Sequence, residues 1–182
     1  MPEAVGVVEW RSIAIAIEAT DAMLDAAEVE VLVSTPVCSG KYVTIVSGDV
    51  ASVQVAVETG VREGGNSLVE AVVIPNVHPD IQPAITATTG VENVRSLGVI
   101  EVFSVAGAVY AADASVKSAD VRLIEIRCAR GLGGKAFVTL TGDVDAVRTA
   151  TETGAAIARE KGLLAASVVI PDLNEKLRRF VL

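Results

Sequence analysis

The chain carries one pattern twice, and that limits it to folds that can be built in duplicate. GVVEWRSIAIAIEATDAMLDAAEVEVL (6–32) aligns without a gap on GVIEVFSVAGAVYAADASVKSADVRLI (98–124), with eleven of 27 positions identical. GKYVTIVSGDVASVQVAVETG (40–60) aligns on GKAFVTLTGDVDAVRTATETG (134–154), with ten of 21 identical, and VVIP (72–75) recurs at 168–171. Self-similarity over such a length marks one supersecondary unit used twice. Two small length changes separate the copies, and the first falls between residues 32 and 40. We place a first domain over residues 1–90 and a second over 91–182, with IQPAITATTGVENVRS, around 80–95, as the join.

One copy reads as alternating strands and helices. AVGVVEW (4–10) is a short apolar strand. The Ser12 hydroxyl can accept from the free N–H groups of a helix over 13–26. Ile13, Ile17 and Leu24, with Ala16 and Ala27, recur at helical spacing. EVEVLVS (28–34) alternates charged and apolar residues, the period of a strand, and YVTIVSG (42–48) is the strand after it. Asp49 starts a second helix to about Glu63, and SLVEAVVIP (67–75) is a last strand ended by proline. The order β-α-β-β-α-β predicts an α/β (α+β) fold of two tandem ferredoxin-like units. Small residues dominate the helices, so helix and sheet should approach closely.

Half of the 182 residues, 51%, are hydrophobic and the mean hydropathy is +0.52, yet the longest charge-free stretches span only 81–91 and 102–112. A membrane-spanning helix needs about 20 apolar residues, so a transmembrane reading is rejected. The first ten residues lack the basic start and apolar run of a signal peptide, and a cytoplasmic location is expected. A small domain cannot hide so much apolar surface alone; burial between subunits is the natural outlet. A net charge of −8 and only 3% aromatic residues argue against general nucleic-acid binding. Two cysteines do not make a disulfide scaffold.

The motifs do not assemble a catalytic site. Gly40-Lys41 and Gly134-Lys135 resemble the end of a phosphate-binding loop, but Thr35 and Ala129 stand where its first glycine belongs, and Tyr42 and Ala136 where its hydroxyl belongs. His78 has no companions at zinc or catalytic spacing, so a surface or interface role is expected. Glu9 and Glu101 hold matching strand positions; each belongs to its own copy, which favours a structural role over paired acid–base work. No nucleophile–base–acid set is visible, and no enzyme activity is expected. Cys128 is in phase with Ile124 and Ile126 and reads as a buried, inert thiol. Cys38 lies on a turn, and its counterpart, with the Gly-Lys pair as anchor, is Leu132. The thiol is therefore peculiar to the first copy.

Together GVVEWRSIAIAIEATDAML, CSGK, SGDVASVQVAVETG and VVIPNVHPDI resemble a family: the tandem-domain shell proteins of bacterial microcompartments. The resemblance runs from about residue 4 to 175, and its specificity lies in the ordered set occurring twice. It implies a homotrimer with pseudosixfold symmetry, packed edge to edge with other shell proteins around metabolic enzymes within the cytoplasm. It places Pro36, Val37, Cys38, Ser39 and Gly40 at a central pore, with Gly131, Leu132, Gly133 and Gly134 from the second copy. A closed ring repeats each contact about its axis, so a trimer brings three Cys38 there. Iron–sulfur clusters are held by cysteine thiolates, ordinarily four for the [4Fe–4S] type. One tandem subfamily, typified by propanediol utilisation, carries a [4Fe–4S] cluster in its pore, on a loop like I-C-P-G-K. The resemblance implies one such cluster per trimer, shared by three Cys38, for electron transfer across the shell or cluster delivery, with encapsulated redox enzymes as possible partners.

The chain departs from the family pattern in places. Ser39 replaces the loop proline. The tile-edge lysine is kept as Lys117 but is Asp25 in the first copy; the edge Arg and His map to Asn76 and His78, and to Asp172 and Asn174 in the second. Two alternatives stay open. One is a shell tile with a metabolite-conducting or gated pore and no cluster. The other is a ferredoxin-like sensor or enzyme that binds a small molecule between the repeats.

Overall fold

Strand β1 (Ala4–Trp10) opens the first unit and the helix α1 (Ile13–Ala26) follows it. The structure is a computed structural model that describes residues 3–128 and 131–181. The Ser12 hydroxyl accepts from the Ile15 N–H and caps α1. The chain continues through β2 (Glu30–Val37), β3 (Lys41–Gly48), α2 (Val50–Gly64) and β4 (Leu68–Pro75). After α3 (Ile81–Thr86) the pattern repeats as β5 (Ser96–Val102), α4 (Val105–Ser118), β6 (Val121–Arg127), β7 (Ala136–Gly142), α5 (Val144–Glu160) and β8 (Leu164–Ile170), ending in α6 (Glu175–Arg178). Ser104 caps α4 as Ser12 caps α1, accepting from the Gly107 N–H at 3.1 Å.

Each unit is one antiparallel four-stranded sheet, ordered β2-β3-β1-β4 in the first and β6-β7-β5-β8 in the second. This is the expected split βαβ topology, and α1 with α2, or α4 with α5, packs on one face. The first core gathers Val8, Trp10, Ala16, Met23, Val46, Val53 and Val57. Equivalent glycines allow the close approach that the small residues predict. A Cβ at Gly60 would lie 2.6 Å from Met23 Sδ, and one at Gly154 would lie 2.6 Å from the Ala111 carbonyl oxygen. At Gly64 it would run into the Trp10 indole, whose Nε1–H donates to the Gly60 carbonyl at 3.3 Å.

The two compact units part after Pro79. The physical reason is that the stretch after Pro79 is committed to the second unit. Ile81, Ala84 and Ile85 are buried as α3 packs along β6, and the Thr89 hydroxyl donates to the Ile124 carbonyl at 3.0 Å. In α1 the buried residues are Ala16, Ala19, Thr20 and Met23, while Ile13, Ile17 and Leu24 are exposed. The small face turns inward because α2 comes too close for larger side chains.

Candidate functional site

The chemistry-bearing segment is the turn between β2 and β3. Strand β2 ends on buried Val37, and Cys38, Ser39 and Gly40 form a single tight turn. Ser39 (φ 64, ψ 25) and Gly40 (φ 72) are both left-handed, which glycine adopts freely and serine only where neighbours hold it. Proline is locked near φ −65°, so a proline at 39 could not take up this conformation. Ser39 therefore gives the turn a shape that a Cys-Pro-Gly loop lacks. Cys38 is half-buried, whereas Pro36, Ser39 and Gly40 are exposed.

The turn is tied down from two sides. Lys41 Nζ donates to Glu9 Oε1 at 2.6 Å, and the Glu9 side chain is almost wholly buried. Behind the turn runs a line of hydroxyls: Tyr42 to Ser34 at 3.0 Å, Ser34 to Thr44 at 3.2 Å, and Thr44 to Thr20 on α1 at 2.8 Å. Thr20 closes the line by donating to the Ala16 carbonyl at 2.7 Å.

The second turn has the same anchor and a different body. Lys135 donates to Glu101 at 2.9 Å, in a more exposed pair. Gly131 (φ 75), Gly133 (φ 64) and Gly134 (φ 87) are left-handed, and the Lys135 N–H donates to the Leu132 carbonyl at 3.2 Å. Leu132 and Gly134 are half-buried, and Gly131 and Gly133 are exposed. Ala129, which entered the phosphate-loop comparison, lies outside the described residues. Each Gly-Lys pair thus ties a turn to the first strand of its own unit, and Glu9 and Glu101 are the anchors. The signal was present in the repeat, where carboxylate and lysine recur together.

The other candidates spread over the surface. Cys128 follows β6 and is half-buried rather than fully buried; burial first, and the Glu125 charge second, push its thiol up to about 12. It stays protonated at neutral pH, which agrees with an inert role. Lys117 reaches Asp113 at 2.6 Å on α4, whereas its counterpart Asp25 is exposed in the last turn of α1. Asn76 is exposed with φ 53, and His78 is half-buried in the loop after β4. Among the described residues, no three His, Cys, Asp or Glu side chains gather to hold a metal ion, and no helix is long and apolar enough to cross a membrane. Sequence reading missed an apolar groove of about 370 Å³ on the open sheet face of the second unit, lined by Leu97, Val99, Phe137, Ala166, Val168 and Val181 among others.

Two capped split-βαβ units, each with a lysine-anchored turn, define a tandem-domain protein. The BMC domain family matches residues 4–77 and again 96–173, so the chain belongs to that family and carries its domain twice, as a tandem-domain microcompartment shell protein. It is 41% identical over 179 residues to the bacterial microcompartment shell protein PduT of Citrobacter freundii, covering 98% of this chain and 97% of that one. It is 32% identical to the carboxysome assembly protein CcmO of Synechocystis sp., covering 96% of this chain and 63% of the relative. The crystal structure of a microcompartment protein from Desulfitobacterium hafniense DCB superposes with a TM-score of 0.95 at 46% identity, covering 98% of this chain and 99% of that one. These relatives are named as shell, assembly or microcompartment proteins, in agreement with a structural rather than catalytic reading.

Proposed function

We propose that this chain is a structural tile of a bacterial microcompartment shell. Three chains form a pseudohexameric ring, with the Cys38 turn and the Gly131–Gly134 turn alternating about a central pore. The ring packs beside other shell proteins. The observation that carries this reading is the family's domain present twice in one chain, at residues 4–77 and 96–173. The native mass of the purified chain and electron microscopy of its assemblies test it. Three chains per particle and ordered sheets or tubes are expected; a monomer that never forms layers would overturn it.

The finer proposal is that Cys38 of three chains holds a [4Fe–4S] cluster at the pore, for one-electron transfer across the shell to redox enzymes inside. One chain offers no gathered ligand set among its described residues, so only symmetry can supply the donors. Cys38 fits that role in part: it is a thiol on a tight, anchored turn. Three thiolates leave one iron of a four-iron cluster to another ligand. The chain's own residues position the thiol, with Lys41 and Glu9 fixing the base of the turn and Ser39 and Gly40 setting its curvature. Oxygen-free purification, a visible spectrum and an iron assay compare wild type with Cys38→Ser. Iron and a brown colour lost in the variant are expected; a colourless, iron-free wild type after reconstitution leaves the alternative, a tile with a metabolite-conducting or gated pore.

A further inference from the structure

We propose that helix α6 of one chain and the residues just after it dock on the α1–β2 face of a second copy, with Leu177 and Phe180 as the apolar contacts. The inference rests on the ring reading above and deepens it by naming the surfaces that join chain to chain. It comes from the repeat. When VVIP (72–75) is laid on VVIP (168–171), Ile81, Ala84 and Ile85 of α3 fall on Leu177, Phe180 and Val181. The two short segments therefore carry the same apolar spacing.

Their surroundings differ. Helix α3 packs along β6 and touches α4, and its three apolar residues are buried. Helix α6 makes no comparable packing with any element among the described residues. It is tethered at its start, where buried Leu173 donates its N–H to the Arg95 carbonyl at 2.7 Å, and Val181 just after it packs against the core of its own unit, while Leu177 stays 44% and Phe180 70% exposed. The receiving surfaces differ in the complementary way. Val105, Val109 and Val116 of α4 and Leu123 of β6 are buried; their counterparts Ile13, Ile17 and Leu24 of α1 and Val31 of β2 are exposed, Ile17 by 54%. Among the described residues, Leu177 and Phe180 of this segment and the outer apolar face of α1 and β2 thus remain exposed. In the other copy of the repeat the same two surfaces are both buried. A contact between unlike surfaces passes from chain to chain and closes into a ring when the rotation allows.

Charge selects the same pairing. From Ser12 to Gly40 the chain carries Glu18, Asp21, Asp25, Glu28 and Glu30 and no basic residue, while α6 and the residue after it carry Lys176, Arg178 and Arg179 against one acid, Glu175. Segment α3 has no basic residue, and the α4–β6 segment it serves carries Lys117, Arg122 and Arg127 beside its acids. A basic strap meets an acidic face between chains, and that pairing steers encounter and suppresses wrong register.

The test places the photo-cross-linker p-benzoylphenylalanine at Phe180 in the full chain. The labelled protein is mixed with isotopically heavy chains under conditions of exchange, irradiated, and mapped by mass spectrometry. Cross-links from position 180 to residues 12–37 of the heavy chain are expected. In parallel, Leu177→Asp with Phe180→Asp should lower the trimer fraction at low micromolar concentration at least tenfold, with the circular dichroism of the single chain unchanged. A wild type whose native mass is not three chains overturns the ring and the docking together. A trimer in which position 180 labels only its own second unit, or one that survives the double variant intact, overturns the docking alone.

Discussion

Behind the first turn, Tyr42, Ser34, Thr44 and Thr20 form a line of hydroxyls; at the matching places of the second unit stand Ala136, Ile126, Val138 and Ala112. The same backbone therefore holds one turn with hydrogen bonds and the other with apolar packing. The first arrangement is directional, because each hydroxyl fixes the rotamer of the next. The second fills volume and leaves shape to the three left-handed glycines. Helices α1 and α4 differ in the same spirit: ten of the 14 residues of α4 are buried, and four of the 14 in α1. Duplication thus preserved the fold and let the two copies diverge in what surrounds it.

The largest test of that contrast is a charge placed at equivalent helix positions. Val109 is completely buried and Ile17 is exposed. Val109→Asp should cost more than about 4 kcal/mol, since an unpaired charge enters the core. Ile17→Asp should change single-chain stability by less than about 0.5 kcal/mol and weaken association instead. Urea denaturation and native mass read the two effects separately. Equal losses of stability would mean that α1 is as enclosed as α4.

The hydroxyl line can be broken or copied. Thr44→Val removes the middle of the line and should cost about 1–2 kcal/mol, because Thr20 and Ser34 each lose a buried partner. Val138→Thr puts a hydroxyl among apolar groups in the second unit and should cost a similar amount, about 1–3 kcal/mol. A neutral Thr44→Val would show the line to be incidental. The anchoring lysines give a smaller difference. Lys41→Met strands nearly buried Glu9 and should cost about 2 kcal/mol, whereas Lys135→Met touches a pair open to solvent and should cost less than about 1 kcal/mol. Thermal melts of the two variants rank them.

Titration gives the smallest effects. Asp49 caps α2 through Ser52, and hydrogen bonds from the Ser52 side chain and then its N–H hold its carboxyl below the ordinary 3.8. Its folded value is the lower one, so its contribution is full above about pH 4 and is lost as pH falls through the depressed value. Asp143, the matching residue of α5, makes no side-chain cap. Asp49→Ala should therefore lower the melting temperature at pH 7 more than Asp143→Ala, and the gap should close in acid. At the alkaline end Cys128 runs the other way. Its folded value, about 12, lies above the ordinary 9.0, so its contribution is present below pH 9 and fades as pH rises towards 12. Cys128→Ala should flatten that alkaline decline, and Cys128 in the wild type should resist alkylation at pH 8 until the chain is unfolded.

Much of this was legible in one sequence, and for local reasons. Ser12 and Ser104 announce their helices because a cap acts within one turn. Alternation in EVEVLVS and proline after VVI mark strands because a strand's side chains have a fixed period. The repeat then fixed the fold class, and Cys38 against Leu132 marked where the copies part. What was not legible was non-local. Ile13, Ile17 and Leu24, with Ala16 and Ala27, recur at helical spacing, but spacing cannot tell which stripe turns inward. The closeness of α2, set by Gly60, decided that the alanines do.

By itself, then, the sequence determined two copies of a split βαβ unit, their caps and turns, and a single thiol in the first turn, all of which rest on contacts within a few residues or on comparison of the copies. Only the tertiary structure decided that Lys41 and Lys135 anchor Glu9 and Glu101, that Ser39 bends left-handed where a proline could not, and that residues 80–90 belong to the second unit. It also left Ile13, Ile17, Leu24, Val31, Leu177 and Phe180 exposed where their counterparts Val105, Val109, Val116, Leu123, Ile81 and Ala84 are buried. These depend on which surfaces lie against which, and hydrophobic burial is non-directional, so no pattern along the chain encodes them.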